Sequence, residues 1–155
     1  MKNLEMHDLL QFLRETPFFA ELDAKYIEHI AEHHTVREVK AGEVFLKYGE
    51  EAEFFNLIYK GEVSLGVMND DELVTISELT RKDYIGWSAI VPPHTWSFDA
   101  KAKTDLVLIC LDGLVLRQMC KDDFSFGAQM MTCTAMAITD RLTAARVALI
   151  ESVAE

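Results

Sequence analysis

The sequence predicts a mainly β fold with flanking helices, in the order helices, β-strands, helices. Three observations carry this: apolar residues at helical spacing near the start, a period of two between Val36 and Leu111, and a return to three-four spacing afterwards. The chain has 155 residues, half of them apolar, which suits one domain around one core. We read a single domain over 1–155, with N-terminal helices at 1–35, a β-roll at 36–111 and C-terminal helices at 112–155.

Leu4, Leu9, Leu10, Phe12 and Leu13 mark the first helix, and Pro17 stops it because proline lacks the N–H that a helix interior needs. A second helix is expected over 23–34, with Asp23 as its N-cap. Extended runs follow at 36–40, 43–48, 54–67 (broken at Lys60-Gly61), 72–79, 96–102 and 105–111. Gly42, Gly49, Gly61 and Gly66 fall at or near joints between these runs, where turns call for positive φ. Short strands punctuated in this way suggest a roll, barrel or sandwich. Asp112 is placed to cap a short helix, and Asp122 or Asp123 to cap a long one.

Charge narrows the function classes. With 15 Lys and Arg against 26 Asp and Glu the net charge is −11, so the polyanionic backbone of a nucleic acid would be repelled. No apolar run approaches the roughly 20 residues of a membrane-spanning helix. The opening residues are too acidic for a signal peptide, so a cytoplasmic location away from membranes is expected. Cys110, Cys120 and Cys133 form no CxxC pair and read as reduced, small buried hydrophobes.

Patterns for catalysis are missing. There is no G-x-S-x-G and no P-loop. His29-Ile30-Ala31-Glu32-His33 fits H-x-x-E-H, but no third ligand accompanies it, and a solvated helix face accounts for it. The sequence thus implies no enzyme, no metal and no cofactor.

Several landmarks stand in one order: Ala41-Gly42-Glu43, Tyr48-Gly49-Glu50, Asn56 to Val63 through Lys60-Gly61-Glu62, Asp83-Tyr84-Ile85-Gly86, and Ala102-Lys103-Thr104-Asp105. Together they resemble the cyclic-nucleotide-binding domain of the catabolite activator protein, protein kinase A regulatory subunits and nucleotide-gated channels. The resemblance covers about residues 15 to 150. It implies a double-stranded β-helix (a jelly-roll-like β-roll) with N-terminal helices and a long C-terminal helix, serving as a regulatory sensor.

The family's ligand sits in a cassette whose Phe-Gly-Glu carboxylate accepts from the ribose 2′-hydroxyl and whose Arg-Ser/Thr guanidinium pairs with the cyclic phosphate. Here the first stretch reads Ile85-Gly86-Trp87, followed by Ser88-Ala89, and the arginine's place falls on Trp96 with Ser97 after it. Indoles offer neither the acceptor nor the positive charge. Losing two charge-assisted contacts, each worth about 1.5–3 kcal/mol, implies a several-hundred-fold or larger drop in affinity. The resemblance therefore implies a module that senses a different, less charged small molecule or works through a protein partner. The alternative is a true cyclic-nucleotide receptor using Lys101 or Lys82 for phosphate and Trp87 or Trp96 on the base. The cassette is expected to be apolar, stiffened by Pro92-Pro93, and closed by its tryptophans or open to a neutral ligand.

Ala128, Met131, Ala135, Ile138, Leu142, Ala145 and Leu149 alternate steps of three and four, the a/d seam of a coiled coil. In the catabolite activator protein this helix is the dimer interface, which implies a homodimer here. Arg141 at g opposite Arg146 at e argues against a parallel pair, and packing of the stripe on its own β-roll is the competing outcome. With the chain ending at Glu155, no helix-turn-helix domain is expected.

Overall fold

Two four-stranded antiparallel sheets share one interior, in strand orders β1-β8-β3-β6 and β2-β7-β4-β5. A computed structural model describes residues 4–154. Helix α1 spans Met6–Glu15, a 3-10 turn Pro17–Phe19 and α2 Ala24–Ala31. The strands are β1 His34–Val39, β2 Val44–Leu46, β3 Phe54–Lys60, β4 Val63–Asn69, β5 Glu72–Leu79, β6 Tyr84–Ile85, β7 Asp99–Ala102 and β8 Leu106–Asp112. A second 3-10 turn, Trp87–Ala89, lies between β6 and β7, and α3 Gly113–Asp122 and α4 Phe124–Ala154 close the chain.

The period of two does its work in the first sheet. Along β8, Leu106, Leu108 and Cys110 point into the roll, while Ile109 and Leu111 point the other way, into a core shared with the helices. Phe55 and Leu57 of β3 join the helical side and Ile58 joins the roll. The central strands β3 and β8 are buried on both faces, so they read as near-continuous apolar runs, whereas β1 at the edge, His34–Val39, stays largely exposed. Phe12, Phe19 and Phe126 come from the helices to pack there, fully buried, each worth about 1.5–3 kcal/mol relative to exposure.

Several boundaries differ from the sequence expectation. The run at 43–48 shortens to β2. Of 96–102 only β7 is strand, because Trp96, Ser97 and Phe98 follow a single bridge between Glu51 and Thr95 and no ladder continues through them. Strand β6, two residues long, was not expected at all. Gly61 has a positive φ of 104° in the β3–β4 turn, but Gly66 is no joint: it lies inside β4 at an irregularity in the pairing with β5, where any side chain would strike the Val74 carbonyl. Asp112 caps α3, accepting from the backbone N–H of Leu114 (2.8 Å) and Val115 (3.3 Å). Asp123 does the same for α4 through Ser125 (2.9 Å) and Phe126 (3.2 Å). Asp23 stands at the N-cap position but makes no side-chain cap; its backbone N–H donates to Gln129 Oε1 (3.0 Å) and its carboxylate accepts from Gln129 Nε2 (3.2 Å).

Candidate functional site

The cassette is the stretch from β6 to β7, and its shape starts at Gly86. A Cβ there would lie 2.3 Å from the Phe55 ring, so only glycine lets the Trp87–Ala89 turn settle onto the sheet. Downstream, Trp96 is fixed by its main chain: its N–H donates to the Glu50 carbonyl and its carbonyl accepts from the Gly49 N–H, both at 2.9 Å. Asp99, buried at the start of β7, accepts from the backbone N–H of Tyr48 (2.9 Å) and Met68 (2.8 Å). Two segments far apart in sequence are thereby held facing one another.

Between them lies a residual cavity of about 10 Å³, walled by Ile85, Gly86, Trp87, Ser88, Trp96 and Ser97, with Leu65, Phe98 and Arg141 completing it. That is at the lower limit for even one water, about 10–15 Å³. Six of the seven cassette residues picked from sequence meet here. Ala89 is fully buried and packs in the roll core instead. Trp96 is buried, Trp87 half-buried, and the Trp87 and Phe98 rings meet edge to face at 6.3 Å.

Arg141 is the residue that sequence reasoning misplaced. The coiled-coil register has it facing a partner helix, but it turns inward and is only 8% exposed. Its Nη2 donates to the Tyr84 carbonyl at 3.0 Å, and its guanidinium lies 5.8 Å from the Tyr84 ring and 5.5 Å from the Trp87 ring. Such cation–π contacts contribute about 0.5–2 kcal/mol each, more where water is excluded. Burial pulls the guanidinium down from its usual pKa and pushes the Tyr84 phenol up. The signal lay in the inner stripe of α4: Phe126, Met130, Cys133 and Ala137 are buried in steps of four and three, and the next step of four lands on Arg141. Neither lysine proposed for a phosphate lines the cavity; Lys82 pairs with Glu15 at 3.0 Å, and Lys101 lines a separate surface basin with Lys103.

A cyclic nucleotide-binding domain model matches residues 36–123. The chain belongs to the cyclic nucleotide-binding domain family. Among solved structures, a cyclic nucleotide-binding domain from Methylobacillus flagellatus KT aligns with a TM-score of 0.75 at 14% identity, covering 95% of this chain and 83% of that one. A triple mutant of the regulatory subunit of a cAMP-independent protein kinase A from Trypanosoma brucei, bound to cAMP in its A site, aligns at 0.72 and 24% identity, covering 97% and 52%. The corresponding subunit from Trypanosoma cruzi, bound to guanosine, aligns at 0.61 and 25% identity, covering 87% and 51%. The chain spans about half the length of these two kinase subunits. No curated protein matches.

Two further features of this family member lie away from the cassette. The outer side of α4 carries Met131 (43% exposed), Ile138 (38%), Leu142 (68%) and Leu149 (65%), with Ala128 and Ala135 exposed and Ala145 half-buried. The stripe therefore does not pack on its own roll. On α2, His29, Glu32 and His33 place one ligand atom each within 4.8 Å of one another, all on exposed side chains; α2 ends at Ala31, so the pattern is not carried on one continuous helical face. Among the described residues no helix is long and apolar enough to cross a membrane.

Proposed function

We propose that this chain is a ligand-sensing regulatory module that does not take cyclic AMP or cyclic GMP in its family's usual way, and that it passes its signal through protein contacts. What supports the reading is the cassette: the resemblance puts indoles where the family has a carboxylate and a guanidinium, and the cavity they wall is about 10 Å³. The Trypanosoma cruzi relative, cAMP-independent and bound to guanosine, supports a ligand other than a cyclic nucleotide in this fold. In the Trypanosoma brucei mutant bound to cAMP, one of the three substitutions installs an arginine, in line with the need for a guanidinium. Ser88 and Ser97 are the hydroxyls lining the cavity, and among the described residues no histidine or carboxylate lines it with them, so a nucleophile would lack its base. The module is read as non-enzymatic and cytoplasmic.

Its output surface is the outer face of α4, and the partner we propose is a second copy of the chain. The exposed stripe keeps coiled-coil spacing from Ala128 to Leu149. Because Arg141 turns into its own roll, the like-charge contact that opposed a parallel pair is gone.

Calorimetric titration of the purified chain with cyclic AMP and cyclic GMP tests the sensing half. No saturable heat is expected into the millimolar range, and no rise in melting temperature, whereas a ligand at a hundred times its Kd adds about 2.7 kcal/mol. Micromolar binding of either nucleotide overturns the reading. Trp87→Glu combined with Trp96→Arg is expected to gain weak cyclic AMP binding.

A further inference from the structure

We infer that Arg141 is the anion-recognising group of this cassette, supplied from α4 rather than from the β-roll, and that the cassette takes a small aromatic carboxylate. The inference rests on the proposed function, because it names the ligand class of that same site. Three observations converge on it. Among the described residues, no carboxylate oxygen lies within 4 Å of the buried guanidinium. Its Nε is buried without a hydrogen-bond partner, although a buried donor is normally satisfied. It is also the one charged side chain among the cavity's lining residues, where the other walls include Trp87, Trp96 and Phe98.

A plug alone does not call for this residue. A methionine or leucine would fill the same space without desolvating a charge, and such exchanges are commonly neutral or stabilising. The unpaired Nε–H instead matches one half of the fork that a guanidinium offers to a planar carboxylate in two parallel hydrogen bonds. The Asp83 and Asp140 carboxylates act on the guanidinium only from beyond 4 Å, and one ligand carboxylate in direct contact would balance its charge. A phosphomonoester dianion would leave a charge over, since among the described residues no second cation lines the cavity, whereas a cyclic phosphodiester carries a single charge and is separated from a carboxylate by the cyclic AMP arm of the test. The aromatic walls supply stacking surface for a planar ring. The cavity of about 10 Å³ does not hold the ring as it stands, so binding requires the guanidinium to leave the Tyr84 carbonyl and the aromatic walls to part, which makes the closed cavity and the bound state alternatives.

The test uses the full chain, tryptophan fluorescence and thermal melting, with 2-naphthoate and its uncharged counterpart 2-naphthamide as probes. Expected is saturable binding of 2-naphthoate at least tenfold tighter than the amide, with the preference abolished in Arg141→Gln. Arg141→Met is expected to stay folded and to melt at or above the parent temperature, the mark of a charge kept for recognition. Equal affinity for the two probes, no saturable response to 2-naphthoate, or an unfolded Arg141→Met would overturn the inference. Cyclic AMP titrated in parallel reports separately: its binding would sink the proposed function, whereas the carboxylate–amide comparison judges the role of Arg141.

Discussion

The two long faces of α4 carry similar spacings and opposite fates. On the inner face Phe126, Met130, Cys133 and Ala137 are buried against the β-roll and the N-terminal helices, and that face ends on a charged residue, Arg141. On the outer face Met131, Ile138, Leu142 and Leu149 are apolar yet exposed. Hydrophobic periodicity locates a seam but does not say which of two seams folds the monomer. The deciding information is tertiary: Phe126 meets Tyr26 edge-on at 5.1 Å, and Arg141 meets Tyr84 and Trp87, while among the described residues Leu142 stays uncovered.

The sharpest way to break this contrast is to truncate one residue on each face. Phe126→Ala is expected to cost about 3–5 kcal/mol in urea unfolding, as large-to-small changes in packed cores do. Leu142→Ala should change the stability of the monomer by no more than about 0.5 kcal/mol. Equal costs would mean that the outer face is core after all.

Alkaline titration sharpens the same contrast with a smaller effect. Burial pushes the Cys110 thiol from about 9 up to about 11, and burial raises Cys133 on the inner face of α4 and Tyr84 beneath it in the same direction. A raised folded-state pKa means that the stabilisation is complete below pH 9 and is lost as pH climbs toward 11, since the unfolded thiol ionises first. For Cys110 the loss is about 1.4 kcal/mol per pH unit, on the order of 2–3 kcal/mol in all. Unfolding free energies at pH 8, 9 and 10 should fall accordingly, and Cys110→Ala should flatten the slope. Leu142→Ala should leave it unchanged, because the outer face brings no such group. A flat profile in the parent protein would show these groups to be accessible.

The smallest effect on the fold should accompany the largest on assembly. Ile138→Glu with Leu142→Glu is expected to convert a dimer to a monomer in sedimentation, because carboxylates buried in a seam are costly. The melting of the β-roll itself should move by no more than about 0.5 kcal/mol. If the parent chain already sediments as a monomer, the homodimer is wrong.

Much of the fold was legible: burial on two faces writes the apolar runs of β3 and β8, and β4 and β5, less buried, still coincide with extended stretches visible in the sequence. Strand β6 was not, since its two residues, Tyr84 and Ile85, pair only with Asn56 and Leu57 and carry no period. The alternation through Trp96, Ser97 and Phe98 misled for the opposite reason. Trp96, Ser97 and Phe98 all line the cavity, and no ladder runs through them. The cassette's local half could be read from Ile85-Gly86-Trp87 and Trp96-Ser97. Its remote contributor, Arg141, is 43 residues beyond the last of the lining residues drawn from the cassette itself, Phe98, and only the inner stripe of α4 pointed to it.

The bonds that hold the beginning of α4 set the mechanics of the rest. Gln129 is latched to Asp23 through two hydrogen bonds, and the Tyr26 hydroxyl donates to Asp123 at 2.9 Å, which also holds that carboxyl below its ordinary range. The helix is thus pinned near its first turn, and at 1.5 Å per residue Arg141 rides about 25 Å along the arm. Beyond that point Met130, Cys133 and Ala137 keep the inner face packed in the core, so a tilt of the whole helix that pulled the guanidinium from the Tyr84 carbonyl would have to unpack them. Leu142 follows Arg141 by one residue, about 100° round the helix, so a displacement of this one turn would move the cassette's guanidinium and the outer face together.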